Sequence, residues 1–575
     1  MTEHKNLTRR GFLAGAALAG IGATSAGMLG CTPSQTSSDK GNAAEGEYMT
    51  VEKAKQKWTF EVPPEPIPES DITETVEADV VVVGSGTSGL VTAYSALEQG
   101  LSVVVVSASS KPISRGGSNH AAYSKTMESM GIKKESATDI EREMALNYGS
   151  VDHAKWYRFY NNSEDAMNWM IDIMENEGFK TGIELSAGIP ETSIYYQHTS
   201  AHGWYKDADT DVIGMTQPYV VETLAKRIES DGGRIFFKNI GRQLIRDNDG
   251  TGRVTAIICE RDDGSFAKYA ASKAVVLATG DFSANRDMMA KYCPQVADSI
   301  TDKVYDNVDY DKEFVFGGLY PGDGQRMGLW VGAAWQKTYP NCPMGACSVN
   351  AGPTNRPYAN FFGLLVNRDG KRFMNEYASS VLGGTTQKLQ PGSESFALWD
   401  VEFSTYPDWY TGQGGIGLIK PIGPDEVVAM WDESVATGTY VKADTIEDLL
   451  DQLGLPPETK ATIDRYNELC AMGRDEDFYK SPENLYPLST PPFYGHKATP
   501  ETSMPILTVM GGLRTDVNMR VCDENDMPIP GLYNVGTMVG DFYAGTYSFQ
   551  SMGVNYGACC LTFGYLTGRF IAENE

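Results

Sequence analysis

Residues 79–89, DVVVVGSGTSG, decide the fold of this chain. Residues 79–83 are an apolar, β-branched run that predicts a buried strand, residues 90–99 predict a helix, and residues 101–106 predict a second strand. A glycine turn between a strand and a helix places backbone N–H groups and the positive end of the helix against a diphosphate. The sequence therefore predicts a dinucleotide-binding βαβ unit, whose turn binds the cofactor through Gly84, Ser85, Gly86, Thr87, Ser88 and Gly89.

The end of the second strand departs from the usual dinucleotide pattern. An acidic residue normally stands there and accepts hydrogen bonds from the ribose hydroxyls, whereas this chain has Ser107. A serine hydroxyl can still accept one such bond, so Ser107 is retained as a predicted cofactor-binding residue. The departure leaves the identity of the nucleotide to be decided by other motifs.

Five further motifs point to FAD, and they occur in the order found in one flavoprotein family. They are S-R-G-G-S-N at 114–119, A-V-V-L-A-T-G-D at 274–281, G-D-G at 322–324, P-G-L-Y-N-V-G at 530–536 and T-F-G at 562–564. Together they resemble the fumarate reductase and succinate dehydrogenase flavoproteins, with urocanate reductase and 3-ketosteroid dehydrogenase as related branches. The resemblance implies FAD as the cofactor, bound through Gly116, Gly117, Ser118, Asn119, Ala278, Thr279, Gly280, Asp323, Gly536 and Thr537.

The same resemblance implies an α/β fold in which a Rossmann-like FAD-binding domain is interrupted by an α+β capping domain. The motif positions assign residues 71–337 and 507–575 to the FAD-binding domain and residues 338–506 to the capping, or substrate, domain. Active sites commonly form where two such domains meet, because closure excludes water from hydride transfer. The substrate is therefore expected to bind between them.

The first 70 residues are predicted to lie outside the catalytic fold. Residues 8–13, T-R-R-G-F-L, and the Gly- and Ala-rich apolar run that follows resemble a twin-arginine export signal spanning residues 1–31. Residues 32–70 are rich in Ser, Thr, Gly, Pro and charge, which predicts a flexible tether. Export would place the protein in the periplasm or at the outer face of the cytoplasmic membrane. Whether a lipid on Cys31 anchors it there as a lipoprotein stays open.

Charge and cysteine spacing argue against several classes of function. The formal net charge of −27 would repel phosphate backbones, so nucleic acid is not an expected partner. The cysteines form no C-x-x-C pair, which argues against a c-type haem, a zinc ribbon or an iron–sulfur cluster. Electrons must therefore come from a separate donor, either a cytochrome or a quinol-linked protein. His198 and His202 share a helical spacing, but no third ligand accompanies them, and no metal site is predicted.

Cationic residues that would bind a dicarboxylate are missing from the expected places. Residues 363–376 match the family's G-x-x-V-N-x-x-G-x-R-F-x-N-E motif, after which fumarate reductases have an acid arginine at the position of Ser380. Fumarate reductases also have a histidine shortly before this motif, but no histidine occurs here between His202 and His496. Their last arginine lies in the C-terminal stretch, but no Lys or Arg occurs here from residue 521 to residue 568. A dianion would find no charged clamp in that stretch, so fumarate is rejected as the substrate.

Four side chains are candidates for the chemistry. Tyr547 lies in G-T-Y-S, a stretch similar to the 3-ketosteroid dehydrogenase branch, where a tyrosine hydroxyl and a backbone N–H hold the substrate ketone. Tyr377 and Ser380 follow the cap motif, and His120 follows the 114–119 motif, where it could lie over the flavin. Each could instead be a packing residue, and this alternative stays open.

Three functions stay open, of which reduction of an activated C=C bond is preferred. Such a reduction needs a hydride from the flavin, a proton donor, and donors for the carbonyl that accepts the charge. The substrate would be a small unsaturated molecule of the enone, enoate or aryl-acrylate type. A ketosteroid-type dehydrogenase that introduces a C=C bond is the second hypothesis. A flavin-bearing electron carrier without catalytic activity is the third.

Overall fold

A computed structural model describes residues 58–114, 118–146, 152–183, 200–206, 217–297, 305, 308–312, 320–344, 363–376, 386–405, 423–499, 508–542 and 556–575. The strands are β1 (Ile72–Val83), β2 (Val103–Val106), β3 (Asn119–His120), β4 (Lys180–Ile183), β5 (Ala201–Tyr205), β6 (Arg234–Phe236), β7 (Asn239–Arg246), β8 (Val254–Arg261), β9 (Phe266–Leu277), β10 (Cys342–Met344), β11 (Leu364–Asn367), β12 (Ser395–Asp400), β13 (Val441–Ala443), β14 (Phe493–Ala498), β15 (Thr508–Met510), β16 (Arg520–Cys522) and β17 (Pro528–Asn534).

The α-helices are α1 (Thr87–Leu97), α2 (Lys125–Ser129), α3 (Ala137–Leu146), α4 (His153–Asn176), α5 (Gln217–Ser230), α6 (Asp247–Gly250), α7 (Arg286–Tyr292), α8 (Asp323–Trp330), α9 (Pro424–Ala436), α10 (Ile446–Leu453), α11 (Thr459–Met472) and α12 (Tyr556–Asn574). Within the described ranges, no helix combines the length and the apolar character needed to cross a bilayer.

The largest sheet carries the glycine turn at the end of β1. Its strands lie in the order β16-β17-β9-β1-β2-β6, and β8 and β7 extend it from β9. From β17 to β6 the neighbouring strands run parallel, and the last four residues of β1, Val80 to Val83, are almost fully buried. Helices α1, α4, α5 and α12 cover one face of the sheet, while β7, β8 and α8 pack on the other. Burial on both faces explains the unbroken valine run, because an alternating pattern arises only where one face meets water.

Four element boundaries differ from the prediction: helix α1 ends at Leu97 rather than at residue 99, strand β2 begins at Val103 rather than at residue 101, and the starts of β1 and α1 differ more. Strand β1 begins at Ile72 rather than at residue 79, because the backbone of its first half pairs with β9. The side chains of this half are largely exposed, so no apolar run marks it in the sequence. Helix α1 begins at Thr87 rather than at residue 90, because the turn residues Ser88 and Gly89 are buried and adopt helical geometry despite low helix propensity. Hydrophobic periodicity reports neither effect.

An antiparallel sheet forms within the segment predicted as the cap, with strand order β11-β12-β14-β13. Helices α10 and α11 pack on one of its faces, against alternate residues such as Leu364 and Leu398. Helix α9 packs on the other face, where Trp431 contacts Trp399 and Tyr494. This part of the chain therefore has apolar cores of its own. The boundaries at residues 338 and 506 stay a prediction.

Two smaller sheets complete the strand pairing of the described residues. Strands β3, β5 and β4 form a three-stranded antiparallel sheet in the order β3-β5-β4. Strand β10 pairs antiparallel with β15, so the chain entering the predicted cap lies against the chain returning from it. Asn341 joins the two by donating from Nδ2 to the carbonyl oxygen of Met510 at 2.9 Å.

Residues 58–70, which the prediction assigns to the tether, pack against the main sheet's periphery. Phe60 is buried beside Met288 and Tyr292, and Trp330 Nε1 donates to the Phe60 carbonyl oxygen at 2.8 Å. The backbone N–H of Ile67 donates to Gln243 at 2.8 Å. Burial of a phenylalanine side chain stabilises a fold by about 1.5–3 kcal/mol, so the packed chain begins before residue 71.

Candidate active site

A cleft opens at the carboxyl ends of β1, β2 and β9. Ligands of open α/β sheets bind outside the carboxyl ends of the strands. The cleft therefore has the position of a nucleotide site. The predicted cofactor residues that line it are Gly84, Ser85, Gly86, Thr87, Ser88, Ser107, Ala278, Thr279, Gly280, Asp323 and Thr537.

The three glycines of the turn are required for different reasons. Gly84 has a φ of +117°, and a Cβ there would lie 2.2 Å from the carbonyl oxygen of Ala278. A Cβ on Gly89 would lie 2.1 Å from the carbonyl oxygen of Gly84, so this glycine lets α1 approach the turn. A Cβ on Gly86 would have the carbonyl oxygen of Ile113 as its nearest contact, at an ordinary 3.5 Å. The protein can accept a side chain at residue 86, so the close approach of a ligand explains this glycine.

The start of α1 completes the candidate phosphate site. Gly86 is the N-cap residue of this helix, in extended conformation, and among the described residues no side chain caps the helix there. The first N–H groups of an α-helix have no intrahelical partner, and together with the helix dipole they favour an anion. A glycine that only a ligand explains and a helix start without a side-chain cap both fit the diphosphate of FAD.

Ser107 lies at the end of β2 in a chain of buried hydroxyls. Ser85 Oγ donates to Ser107 Oγ at 2.8 Å, Ser107 Oγ lies 2.8 Å from Ser109 Oγ, and Ser109 Oγ donates to the Lys111 carbonyl oxygen at 2.7 Å. Because each hydroxyl in this chain donates its proton to the next oxygen, the Ser107 hydroxyl can only accept a further hydrogen bond. In this respect it is like the carboxylate that it replaces. Ser109 is a member that the sequence analysis missed, since no motif marks it.

The A-T-G-D motif at 278–281, the second of the predicted nucleotide segments, is held by side chains around α8. Thr279 Oγ1 accepts a hydrogen bond from the backbone N–H of Gly324 at 3.1 Å. Asp323 is buried, accepts from the Tyr310 hydroxyl at 2.7 Å, and forms an ion pair with Arg326. The A-T-G-D and G-D-G motifs are thus brought into contact.

Asp281 stands where the family usually has a second glycine, and it is almost fully buried. Its carboxylate accepts the backbone N–H of Val509 in β15 at 3.0 Å and the Ser283 hydroxyl at 2.9 Å. The departure from Ala-Thr-Gly-Gly therefore binds the end of the nucleotide segment to the strand that returns from the predicted cap.

The C-terminal part of the predicted FAD-binding domain, residues 507–575, also reaches the cleft and is called the C-terminal return below. Gly536 has a φ of +83°, and a Cβ there would lie 2.5 Å from the hydroxyl of Ser88 in α1. The carbonyl oxygen of Thr537 accepts the backbone N–H of Gly511 at 2.7 Å. Cys560 lines the cleft as well, although the sequence analysis gave it no role.

Several predicted site residues lie outside the described residues: Gly116, Gly117, Tyr377, Ser380 and Tyr547. Their assignments stay predictions. Ser118 and Asn119, which complete the 114–119 motif, are both buried, and Asn119 begins β3.

His120 is buried beside His202 on neighbouring strands. Its Nδ1 lies 2.9 Å from the Ser200 hydroxyl and its Nε2 lies 3.3 Å from the Ser118 hydroxyl. His202 lies on strand β5, not on a helix, and its Nε2 lies 2.7 Å from the Ser124 hydroxyl. Burial lowers the pKa of His120 to about 3, with a contribution from His202, and lowers the pKa of His202 to about 4. Both rings are therefore neutral at physiological pH, and the catalytic role of His120 stays a prediction.

This histidine pair predicts a loss of stability in acid. The unfolded state takes up protons below the ordinary histidine pKa of about 6.5, whereas the folded state does so only near pH 3 to 4. Stability therefore falls as the pH drops through this window, by about 2 kcal/mol for each ring between pH 7 and pH 5. Urea unfolding at the two pH values should show that His202→Asn loses about 2 kcal/mol less stability than the wild type between pH 7 and pH 5. The exposed His153→Asn is the control, and an unchanged pH difference in His202→Asn would contradict the assignment.

The cap motif ends in a buried network of charges. Arg372 donates to Glu376 from Nε and Nη2, both at 2.8 Å, and to Asp475 at 2.7 Å. Lys480 Nζ lies 3.4 Å from Glu376 and donates to the Gly363 carbonyl oxygen at 3.0 Å. Burial lowers the pKa of Lys480 to about 8, against the attraction of Glu376. The network holds the chain next to residues 377–380, which carry two predicted catalytic side chains.

A further buried cation, outside this network, holds the chain before the Tyr547 segment. Lys155 in α4 is 1% exposed and donates from Nζ to the Gly540 carbonyl oxygen at 2.7 Å. The next residue, Asp541, accepts the backbone N–H of Lys337 at 2.8 Å, and its carbonyl oxygen accepts that of Asp152 at 3.2 Å. No motif predicted these contacts, because they join parts of the chain that are far apart in sequence.

Fold and site together define a class of protein. A parallel sheet with a glycine-turn cleft for a diphosphate, interrupted by a separate antiparallel sheet, is the architecture of a dinucleotide-binding flavoprotein. The sequence model of the family described as FAD binding domain matches residues 79–554, and the chain belongs to this family. The predictions of an α/β flavoprotein fold, of FAD as cofactor and of an FAD-dependent oxidoreductase are thereby confirmed.

Individual relatives cover most of the chain. It is 26% identical to the vinyl phenol reductase of Lactiplantibacillus plantarum over 85% of this chain and 94% of that protein. It is also 26% identical to the 3-oxosteroid 1-dehydrogenase of Mycolicibacterium smegmatis, over 86% of this chain and 97% of that protein. The crystal structure of a 3-ketosteroid-Δ4-(5α)-dehydrogenase from Rhodococcus jostii RHA1 is similar in fold, with a TM-score of 0.63, 21% identity, and coverage of 88% of this chain and 99% of that one.

Proposed function

We propose that this protein reduces an activated C=C bond of a small molecule other than fumarate, with electrons that arrive from a separate redox partner. Similarity to a vinyl phenol reductase over nearly the whole of both chains supports reductase chemistry. Bound FAD supplies the hydride. The proposed substrates are enones, enoates and aryl acrylates, in which a carbonyl or carboxyl group next to the double bond takes up the developing charge.

The observation that carries the choice of substrate class is the lack of cationic residues over most of the C-terminal return. Residues 521–568 contain no Lys or Arg, and Ser380 stands where fumarate reductases resemble one another in having an arginine. A dicarboxylate carries two negative charges, and removing both from water is costly unless cationic partners compensate them. A substrate with one carbonyl or one carboxylate needs a single set of donors.

The predicted donors are hydroxyl groups. Tyr547 is proposed to hold or protonate the substrate carbonyl, with Tyr377 and Ser380 as the next candidates. His120 is less suited to donate a proton, because its ring is neutral and both of its nitrogens lie within hydrogen-bonding distance of serine hydroxyls. A tyrosine hydroxyl has a pKa far above 7 and therefore carries its proton at physiological pH.

A second candidate is the reverse reaction, oxidation of a saturated ketone to an enone. The similarity to a 3-oxosteroid 1-dehydrogenase over nearly its whole length favours it, as does the position of Tyr547 in a stretch similar to that branch. The reductase oxidises a reduced flavin, whereas the dehydrogenase reduces an oxidised flavin. The change in flavin absorbance on mixing with substrate therefore distinguishes the two directions.

Rapid mixing of the anaerobic holoprotein with a panel of compounds tests the proposal. Dithionite-reduced protein should be reoxidised by at least one enone, enoate or aryl acrylate, and faster than by fumarate. Reoxidation by fumarate above all others would overturn the proposed substrate class. Reduction of the oxidised flavin by saturated ketones would instead establish the dehydrogenase. A flavin that exchanges electrons with a redox protein, and whose spectrum no compound changes, would identify an electron carrier.

Tyr547→Phe is expected to lower turnover by about ten- to ten-thousandfold while leaving the flavin content unchanged. Loss of a general acid costs roughly a hundred- to ten-thousandfold, and loss of one carbonyl donor costs somewhat less. Steady-state rates and the flavin-to-protein absorbance ratio measure the two effects. Tyr157→Phe, on an exposed position of α4, is the control. Unaltered turnover in Tyr547→Phe would remove this residue from the mechanism.

Export by the twin-arginine route is part of the same proposal, since the signal suits a protein that folds around its cofactor before transport. The donor would then be a cytochrome or a quinol-linked protein of the cell envelope. Arg9→Lys together with Arg10→Lys should retain the protein in the cytoplasm, and Cys31→Ala should release it from the membrane fraction if the cysteine is lipidated. Cell fractionation measures both outcomes.

A further inference from the structure

Gln217, the first residue of α5, is 1% exposed and belongs to none of the motifs. Its side-chain Oε1 accepts two hydrogen bonds, from Thr87 Oγ1 at 3.1 Å and from Asn119 Nδ2 at 3.1 Å. Thr87 is the first residue of α1 and lines the nucleotide cleft, whereas Asn119 closes the 114–119 motif. One carboxamide therefore joins two separate nucleotide-binding segments.

The other half of this carboxamide is unsatisfied. Gln217 Nε2 is buried and has no hydrogen-bond partner in the structure as described. The orientation of the amide is set by its partners, because turning it over would place the Nε2 donor against the Asn119 Nδ2 donor. A buried donor without a partner costs about 1–3 kcal/mol, so this position calls for an acceptor that the described residues do not supply.

The surroundings indicate which acceptor is missing. Thr87, to which Gln217 is bonded, follows Gly86, the glycine whose missing side chain only a ligand explains. Thr87 is the first residue of α1, where the free N–H groups favour an anion. A phosphate oxygen is a strong acceptor and is the group expected at this end of the helix.

We propose that Gln217 is a cofactor-binding residue, which fixes Thr87 and Asn119 through Oε1 and donates from Nε2 to the diphosphate of FAD. The proposal rests on the FAD-binding fold and is independent of the substrate or direction of the reaction. It adds to the site a residue from α5, more than a hundred positions beyond the glycine turn. Holding the two segments and the phosphate with one rigid group would preorganise the site.

Gln217→Glu separates the two functions of the carboxamide. A carboxylate of the same shape still accepts from Thr87 and Asn119, but it replaces the Nε2 donor by a negative charge next to the diphosphate. Loss of a hydrogen bond to a charged group corresponds to about a ten- to 150-fold change in Kd, and repulsion adds to it. Protonation of the introduced glutamate restores a donor, and the two side chains that bond to residue 217 do not titrate. Binding to this variant should therefore tighten from pH 8 to pH 5.5.

The experiment titrates apoprotein with FAD and follows flavin fluorescence, with thermal unfolding of the apoprotein measured in parallel. We expect Gln217→Glu to raise the Kd for FAD at least tenfold at pH 8, with partial recovery at pH 5.5, and to leave apoprotein stability close to that of the control. The control is Gln387→Glu, which introduces a carboxylate at another buried glutamine, in the predicted cap.

Two results would overturn the proposal. One is a wild-type Kd in Gln217→Glu at both pH values. The other is a weaker Kd that does not depend on pH and is matched by a loss of apoprotein stability, since that pattern indicates a purely structural residue. Should Gln217→Glu not fold, Gln217→Met removes all three bonds without adding a charge. A wild-type Kd in this second variant would equally overturn the proposal.

Discussion

Gly86→Val is expected to abolish FAD binding while the apoprotein still folds. A Cβ at residue 86 has the Ile113 carbonyl oxygen as its nearest contact, at 3.5 Å, so the protein can accommodate it. The added side chain would keep a diphosphate away from the N–H groups at the start of α1, which no side chain caps. Two lost bonds to a charged group, at about 1.5–3 kcal/mol each, weaken binding by a hundredfold or more.

The flavin-to-protein absorbance ratio and the shift of the unfolding temperature by added FAD measure this effect. A protein that binds FAD is stabilised in proportion to the logarithm of ligand concentration over Kd, so Gly86→Val should show no shift. Gly89→Val is the comparison, because its Cβ would lie 2.1 Å from the Gly84 carbonyl oxygen and should impair folding itself. A yellow Gly86→Val protein of wild-type affinity would disprove the phosphate assignment.

Glu376→Ala is expected to destabilise the protein by about 3–5 kcal/mol, the usual cost of breaking a buried ion pair by removing one partner. Glu376 is fully buried and bonded to Arg372 through both carboxylate oxygens, while Lys480 lies 3.4 Å away. Removal of the carboxylate leaves two buried cations with Asp475 as the remaining anion of this network. The uncompensated charge, more than the lost hydrogen bonds, sets the size of the effect.

The pH dependence of Glu376→Ala provides a second signature. The pKa of Lys480 is lowered by burial to about 8, below its ordinary value of 10.5, so between these values the unfolded state binds more protons and stability rises with pH. Loss of Glu376 lowers the folded-state pKa further, so the variant should recover part of its stability between pH 7 and pH 9. Urea unfolding measures this, with Glu468→Ala in the exposed ion pair of α11 as the control. A loss below about 1 kcal/mol, or no recovery, would contradict the network's role.

The nucleotide unit could be predicted because its signals are local. A valine run, a glycine turn and a helix follow one another within residues 79–99, and each depends on neighbouring residues. The boundaries were less accurate, since the exposed half of β1 and the first residues of α1 are determined by the strand and helix against which they pack. The order of five family motifs supplied the remainder of the FAD-binding fold.

Parts of the site could not be predicted, because they are made by contacts across long stretches of chain. Lys480 lies next to Glu376, and Lys155 next to Gly540, only after the sheets have packed. Nothing in the sequence around Gln217 marks it as a partner of Thr87. The histidines at 198 and 202 share a helical spacing in the sequence, whereas His202 lies on strand β5 in the structure.

Membership of the FAD-dependent oxidoreductases was available from residue identity and spacing alone, and the proposal that the substrate is not a dicarboxylate rests on the same two properties. A glycine turn needs glycines at fixed spacing within a few residues. A stretch without Lys or Arg contributes no cationic side chain to a binding site, whatever the fold. The folded chain was needed to show that a side chain has room at Gly86 but not at Gly84 or Gly89, and that burial keeps the two histidines neutral. Steric clearance and desolvation depend on which distant atoms surround a group, and those neighbours exist only after folding.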